Sequence, residues 1–325
     1  MTETISVEQF REYAARVESE VGKVIVGQNE IVRHVLVGIL SGGHVLLEGV
    51  PGLGKTMLIR TLGQALDLKF SRIQFTPDLM PSDILGTEIL SDENGQREFR
   101  FRQGPLFANL VLADEINRAT PKTQSALLEA MQEGSVTVAQ KTHHLEEPFF
   151  VLATQNPLEM EGTYPLPEAQ LDRFLFKVNV HLPEVADMVE ILERTTGKDT
   201  PAAGQAISGA ELLQMRSLAR AVPLASHVKE YIARLVLASH PEHSTATPLV
   251  KKYVRYGSSP RGGQALVLGS KVSALLAGRY NVAFEDVEAI APAGLRHRLL
   301  LNFDGLAEGI STDAVIAELL KELPR

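Results

Sequence analysis

Between Ile31 and Leu182, short apolar runs alternate with segments whose apolar residues recur every three to four positions. The runs His44–Glu48, Phe70–Phe75, Leu110–Ala113, Phe149–Thr154 and Phe174–Val180 predict strands. The segments Asn29–Leu40, Lys55–Leu66, Pro121–Glu133 and Pro167–Asp172 predict helices. The first, third and fourth runs are densely apolar, as strands covered on both faces must be. Alternation of this kind predicts an α/β core with a parallel sheet and helices on both faces.

Two stretches depart from the alternation. Residues 81–104 hold two strand-like runs, Thr87–Leu90 and Arg97–Arg102, around the turn signal Glu93-Asn94-Gly95, and residues 135–146 read as a second hairpin. Both predict excursions from the sheet. After Pro183 the β signal vanishes, and Glu184–Thr196, Gly209–Val222, Ser226–Ser239, Arg261–Ala277 and Phe284–Leu300 predict amphipathic helices. The Thr-, Gly- and Pro-containing stretch Thr196–Gly204 reads as a linker. The expected organisation is an α/β core over residues 1–182, a connecting helix and linker over 183–200, and a smaller helical domain over 201–325.

Composition narrows the picture. The 325 residues are 44% apolar, enough for a sizeable core. The formal charge of −8, with no basic block, disfavours generic nucleic-acid binding. The absence of cysteine removes disulfides, thiolate metal sites and cysteine nucleophiles, and fits a reducing cytoplasm. Met1–Lys23 is too charged for a signal peptide, and the most apolar stretch, Ile31–Leu47, is too interrupted to span a bilayer.

The chemistry starts at Gly49-Val50-Pro51-Gly52-Leu53-Gly54-Lys55-Thr56, which matches G-x-x-x-x-G-K-[ST] after a predicted strand and at the start of a predicted helix, followed by Met57. Glycines let the backbone N–H groups turn toward phosphates, and the helix N-terminus adds a favourable field. Lys55 is expected to reach the β- and γ-phosphates of ATP, and Thr56 to place its hydroxyl on Mg²⁺. Leu110–Glu115 is a buried strand ending in two acids: Asp114 to hold the metal, directly or through water, and Glu115 to polarise the attacking water. A second apolar strand ends at Asn156, placed either to bond the γ-phosphate or its water, or simply to make the turn before Pro157. Arg173, at a helix-to-strand junction, and Arg261, opening a later helix, are candidates for stabilising transition-state charge. Either arginine, taken alone, reads more readily as an exposed surface ion pair. His143-His144 lacks a third ligand and reads as a loop pair, and His297 as a helix-surface residue.

The order of these elements resembles the AAA+ ATPases and, more closely, the MoxR family. The resemblance rests on Gly49–Thr56, on Asp114-Glu115-Ile116-Asn117-Arg118-Ala119, on Ala153-Thr154-Gln155-Asn156-Pro157, and most specifically on the run Glu161 to Phe174. It covers nearly the whole chain. It implies an AAA+ core with a helical lid, Walker A residues Lys55 and Thr56, Walker B residues Asp114 and Glu115, sensor 1 at Asn156, an arginine finger at Arg173, and sensor 2 at Arg261, acting in cis or in trans. Val26, Gly27 and Gln28 resemble the stretch that packs near adenine. Residues 81–104 match the helix 2 insert, and 135–146 the hairpin before sensor 1. The resemblance further implies a Mg²⁺-dependent ATPase acting as a chaperone on client proteins, a ring of six with ATP bound, and a von Willebrand A domain partner.

A nucleic-acid motor is the alternative, since related clades use such inserts on DNA. The inserts mix Arg97, Arg100 and Arg102 with Glu88, Asp92, Glu93 and Glu98, and Lys141 with Glu146, and carry no exposed aromatic pair for base stacking. Glu115 argues against a scaffold that binds nucleotide without turnover, and no Asn-Lys-x-Asp signature marks a GTPase.

Overall fold

The computed structural model describes residues 5–93, 96–157, 162–197 and 201–325. Asn94 and Gly95 of the expected turn, Glu161 at the head of the signature run, and residues 198–200 of the expected linker lie outside them.

Five parallel strands form the central sheet: β1 (Val45–Glu48), β2 (Phe70–Gln74), β3 (Leu110–Asp114), β4 (Phe150–Gln155) and β5 (Phe176–Asn179), in the spatial order β2-β3-β4-β1-β5. The dense apolar runs are explained by strand alternation. Val45, Leu47, Leu110, Leu112, Phe150 and Leu152 enter one core, and Leu46, Val111, Ala113, Val151 and Ala153 the other. The first core is continuous with the helical half of the chain: Phe176 of β5 lies against Gly269 and Gly294, close enough that a Cβ at Gly269 would meet its ring at 2.7 Å. The second core is closed by the helix Pro121–Glu133, with Leu127 and Leu128 fully buried.

The two excursions are antiparallel hairpins. Gly86–Glu93 pairs with Gln96–Gln103, and Ser135–Val138 with Lys141–His144. His143 therefore sits on a strand, where its ring stacks on Phe101 of the first hairpin at 3.9 Å, so it is no loop residue.

The helical half follows expectation at Gly209–Ala221, opened by a reciprocal cap in which Ser208 Oγ accepts the Glu211 N–H and Glu211 accepts the Ser208 N–H at 2.6 Å. It differs in two ways. Val254–Tyr256 and Leu300–Leu301 form a short antiparallel ladder where no β signal is evident. The helix expected to reach Leu300 stops at Leu295. The chain bends there so that His297 and Arg298 turn inward: His297 is 8% exposed and donates from Nε2 to the Phe174 carbonyl, which corrects its assignment to a helix surface. Helices Val7–Gly22, Pro248–Tyr253, Phe303–Ala307 and Thr312–Glu322 were not expected.

Candidate nucleotide site

Because all five strands are parallel, the residues that follow β1, β3 and β4 emerge at one edge of the sheet, and those strands are neighbours. Gly49–Thr56, Asp114-Glu115 and Asn156, up to a hundred residues apart in sequence, thus converge where open α/β sheets place ligands. Pro51, Gly52, Leu53, Gly54, Lys55, Thr56, Asp114, Glu115, Thr154 and Asn156 line one cleft of about 240 Å³. Asn156 is buried at 5% exposure, and Met57, on the same helix as Thr56, is exposed.

Two glycines are dictated by the backbone. Gly54 holds φ +76° as the cap of the helix Lys55–Ala65, a left-handed conformation that side chains resist. A Cβ at Gly49 would lie 2.7 Å from the Val180 carbonyl oxygen. Lys55 Nζ donates to the carbonyls of Gly49 and Val50, so the ammonium stays inside the loop it would serve. Burial lowers the Lys55 pKa, opposed by the negative charges of Asp114, Glu115 and Glu48.

The two acids are firmly held. Asp114 Oδ1 accepts from the Thr154 hydroxyl at 2.6 Å, and Oδ2 accepts from Arg72 Nε at 3.1 Å and Nη2 at 2.7 Å. The Glu115 N–H donates to Thr154 Oγ1 at 2.8 Å, and the residue adopts φ 55°, ψ 50°, a strained conformation for a non-glycine residue. Its Oε2 accepts from Gln74 Nε2 at 2.7 Å and Arg118 Nη1 at 3.2 Å. The Asp114 carboxylate and Thr56 hydroxyl are the oxygen donors a hard divalent cation takes. Arg72, Gln74, Arg118 and Thr154 escaped the sequence reading. The detectable signal was the Arg-x-Gln spacing on a strand, which puts both side chains on one face.

Beside this cleft lies a second of about 510 Å³, whose lining includes Gly27, Gln28, His181, Leu182, Pro183 and Asp187. Gln28 Nε2 donates to the Leu53 carbonyl at 2.9 Å and joins the two clefts. Val26 is buried behind it.

The arginines lie elsewhere. Neither Arg173 nor Arg261 lines the phosphate cleft. Leu175 donates its N–H to the His44 carbonyl, at the start of β1, whereas the loop begins after its end. At 3.3 Å per residue, these points are about 16 Å apart along the strand. Arg173 Nη1 donates to the Leu128 carbonyl at 2.9 Å. Arg261 is exposed, with its guanidinium 3.8 Å from the carboxylate of Asp172, the residue before Arg173. The helical half fixes this junction. Arg298, 3% exposed in its side chain, donates to Asp172 Oδ1 at 2.8 Å and to the carbonyls of Asp172 at 3.1 Å, Phe174 at 2.7 Å and Leu175 at 3.1 Å. Ser259 Oγ reaches both Asp172 carboxylate oxygens at 2.9 Å. Burial lowers the Arg298 pKa, opposed by the hydrogen bond and the negative charge of the Asp172 carboxylate.

Comparison with known proteins agrees with this geometry. Residues 44–176 match the family model of the ATPase family associated with various cellular activities (AAA), and residues 247–319 match the AAA lid domain. The chain is 46% identical over 302 residues to Chaperone MoxR1 of Mycobacterium tuberculosis, covering 93% of this chain and 79% of that one. It is 30% identical to Protein MoxR of Methylorubrum extorquens, covering 90% and 89%. A crystal structure from Cytophaga hutchinsonii superposes with a TM-score of 0.91 at 41% identity, over 98% of this chain and 96% of that one.

Proposed function

The chain belongs to the MoxR family of AAA+ ATPases, and we propose that it hydrolyses ATP with Mg²⁺ in a closed ring of six, as a chaperone that remodels client proteins in the cytoplasm. A partner carrying a von Willebrand A domain would deliver or select the clients. The observation that carries the reading is the division of the catalytic groups between two edges. Lys55, Asp114, Glu115 and Asn156 share one cleft, while at the other edge Arg173 is bonded to Leu128 and Arg261 lies against Asp172, the residue before Arg173, which Arg298 and Ser259 also hold.

In this reading the backbone N–H groups of Gly49–Thr56 cradle the phosphates, Gln28 and Gly27 flank the adenine, and Lys55 leaves the Gly49 and Val50 carbonyls for the β- and γ-phosphate oxygens. Thr56 and Asp114 would hold Mg²⁺, which would supply positive charge to the phosphates. Glu115 accepts a proton from water as its oxygen attacks the γ-phosphorus, and ADP departs on the bridging oxygen. Asn156 orients that water. Arg173 and Arg261 complete a neighbour's site, both acting in trans, because Arg173 is bonded to Leu128 and Arg261 lies against Asp172, both on the far side of their own sheet. The lid, residues 201–325, carries Arg261 and Arg298 and meets the core at Asp172.

The clients would meet the first hairpin. Leu90 and Phe99 are directly opposed across its ladder, 54% and 69% exposed, an apolar pair suited to unfolded polypeptide.

The test mixes two inactive proteins, Arg173→Ala and Lys55→Ala. In mixed rings, some intact loops face intact fingers, so turnover returns although neither parent has it. No recovery, with subunit exchange verified by a labelled subunit, would mean that Arg173 does not act in trans.

A further inference from the structure

The helix Val185–Thr196 is held to the core by polar groups and turns its apolar side outward. Arg194 donates to the carbonyls of Gly22 and Lys23 at 3.1 and 2.6 Å, and Asp187 lies so close to Gly27 that a Cβ there would be 2.2 Å from its carboxylate. Val185, Met188, Val189 and Leu192 recur at helical spacing and are 83%, 39%, 51% and 53% exposed, and Leu182 just before them is 71% exposed. No residue of this helix is buried. An amphipathic helix that shows water its apolar stripe has a covering surface elsewhere.

The chain also carries an apolar trough. It lies between the helices Ser226–Ala238 and Pro260–Leu276, encloses about 620 Å³, and is lined by Ile232, Val236, Leu237, Val267 and Leu268 over Gly263. Lys229 is the one charged residue in its lining. Glu184 and Glu193 flank the ridge's apolar stripe, while Asp187 and Glu190, the latter paired with Arg194, lie on the side turned to the core. Two ridges face to face would bring two such sets of carboxylates together, and two troughs would leave each other empty. Ridge in trough matches shape and charge.

We propose that the Val185–Thr196 ridge of one copy seats in the Ser226–Ala238/Pro260–Leu276 trough of the next. The contact is heterologous, the kind whose repetition makes a ring when its rotation closes. It also fits the catalytic geometry. The ridge begins beside the cleft of Gly27 and Gln28, and the trough begins at Pro260, one residue before Arg261. Seating one in the other carries Arg261 to the neighbour's nucleotide edge. The inference rests on the ring reading and adds the surface that makes the ring.

The chain contains no cysteine, which gives disulfide trapping a clean background. The full-length double variant Val189→Cys/Leu237→Cys, oxidised with ATP present, is expected to give a ladder of covalent oligomers ending at the ring, while each single variant stays uncrosslinked. A second arm fills the trough. A Cβ at Gly263 meets Val236 at 3.5 Å, ordinary contact, so the backbone accepts a side chain there, and the urea midpoint of Gly263→Leu, whose remaining carbons extend into the trough, verifies its folding. It is expected to raise the concentration needed for assembly about tenfold or more, a loss of about 1.4 kcal/mol, with ATP binding per subunit unchanged. Dimers from Val189→Cys alone would overturn the proposal. So would wild-type assembly by Gly263→Leu, or rings by native mass that give no ladder, both of which leave the ring reading standing. A strict monomer with ATP at micromolar concentration or above would remove the ring and this contact together.

Discussion

Gln74 donates its side-chain amide to Glu115 Oε2 at 2.7 Å from the neighbouring strand, where its own backbone is in register with Asp114. Two residues earlier on the same face, Arg72 grips Asp114 and also donates to Gln74 Oε1 at 2.7 Å. Strand β2 contributes nothing to the phosphate loop, yet it holds both acids. In the proposed mechanism, Glu115 gives up its hydrogen bond with Gln74 when it polarises water. Gln74→Ala should therefore raise basal turnover up to about fivefold, the worth of roughly one hydrogen bond, with nucleotide affinity unchanged. Steady-state kinetics decide the matter: a fall in kcat at constant KM would mean that Gln74 orients Glu115 for catalysis.

Glu115→Gln removes the proton acceptor and keeps the shape. It should bind ATP as tightly as the wild type and hydrolyse it at least about a hundredfold more slowly. Lys55→Ala should instead lose nucleotide affinity. Equilibrium binding and single-turnover hydrolysis, measured on the same two variants, separate the roles.

Arg298 is the single cation beneath Asp172, Phe174 and Leu175 to which all three give oxygen acceptors. Arg298→Met would leave the Asp172 carboxylate to Ser259 and Arg261 and the Phe174 carbonyl to His297, and would take this donor from the Asp172 and Leu175 carbonyls, at a cost of about 3 kcal/mol. Ser259→Ala removes only a hydroxyl and should cost about 1 kcal/mol. Urea unfolding of both variants should show that ordering; equal losses would deny Arg298 its central place.

His44 is neutral in the fold. Its Nδ1 accepts the Val151 N–H at 3.0 Å, so Nε2 carries the proton donated to the Met131 carbonyl, and burial lowers its pKa to about 4. The folded form resists a proton that the unfolded chain accepts below about pH 6.5. Stability contributed by His44 is thus present above about pH 6.5 and lost as pH falls toward about 4, by up to about 3 kcal/mol. His297, whose pKa burial lowers well below the ordinary value, acts with the same sign. Urea midpoints between pH 7 and 4.5 should drop, and His44→Gln should flatten part of that slope.

Much of this was legible in the chain. The loop Gly49–Thr56 and the acids Asp114 and Glu115 follow apolar strands whose composition declares burial on both faces, and parallel topology leaves their ends only one edge on which to meet. The grips of Arg72 and Gln74 were not legible, because they depend on which strand lies beside β3, and strand order is set by long-range packing. His297 misled for a related reason. A polar Arg-His-Arg run after a helical pattern looks solvated until a neighbouring strand presents carbonyls to it.

The stacking of His143 on Phe101 has a mechanical consequence. The two hairpins leave the core on either side of β3 in sequence, one before it and one after the helix that follows it, and they are joined ring to ring at 3.9 Å, with Lys141 reaching Glu88 at 3.8 Å. Phe107, just before β3, meets Phe101 edge-on at 5.5 Å. Load applied at the exposed Phe99 would therefore be shared between both arms and would reach β3 at its first residues, the end of the strand opposite Asp114.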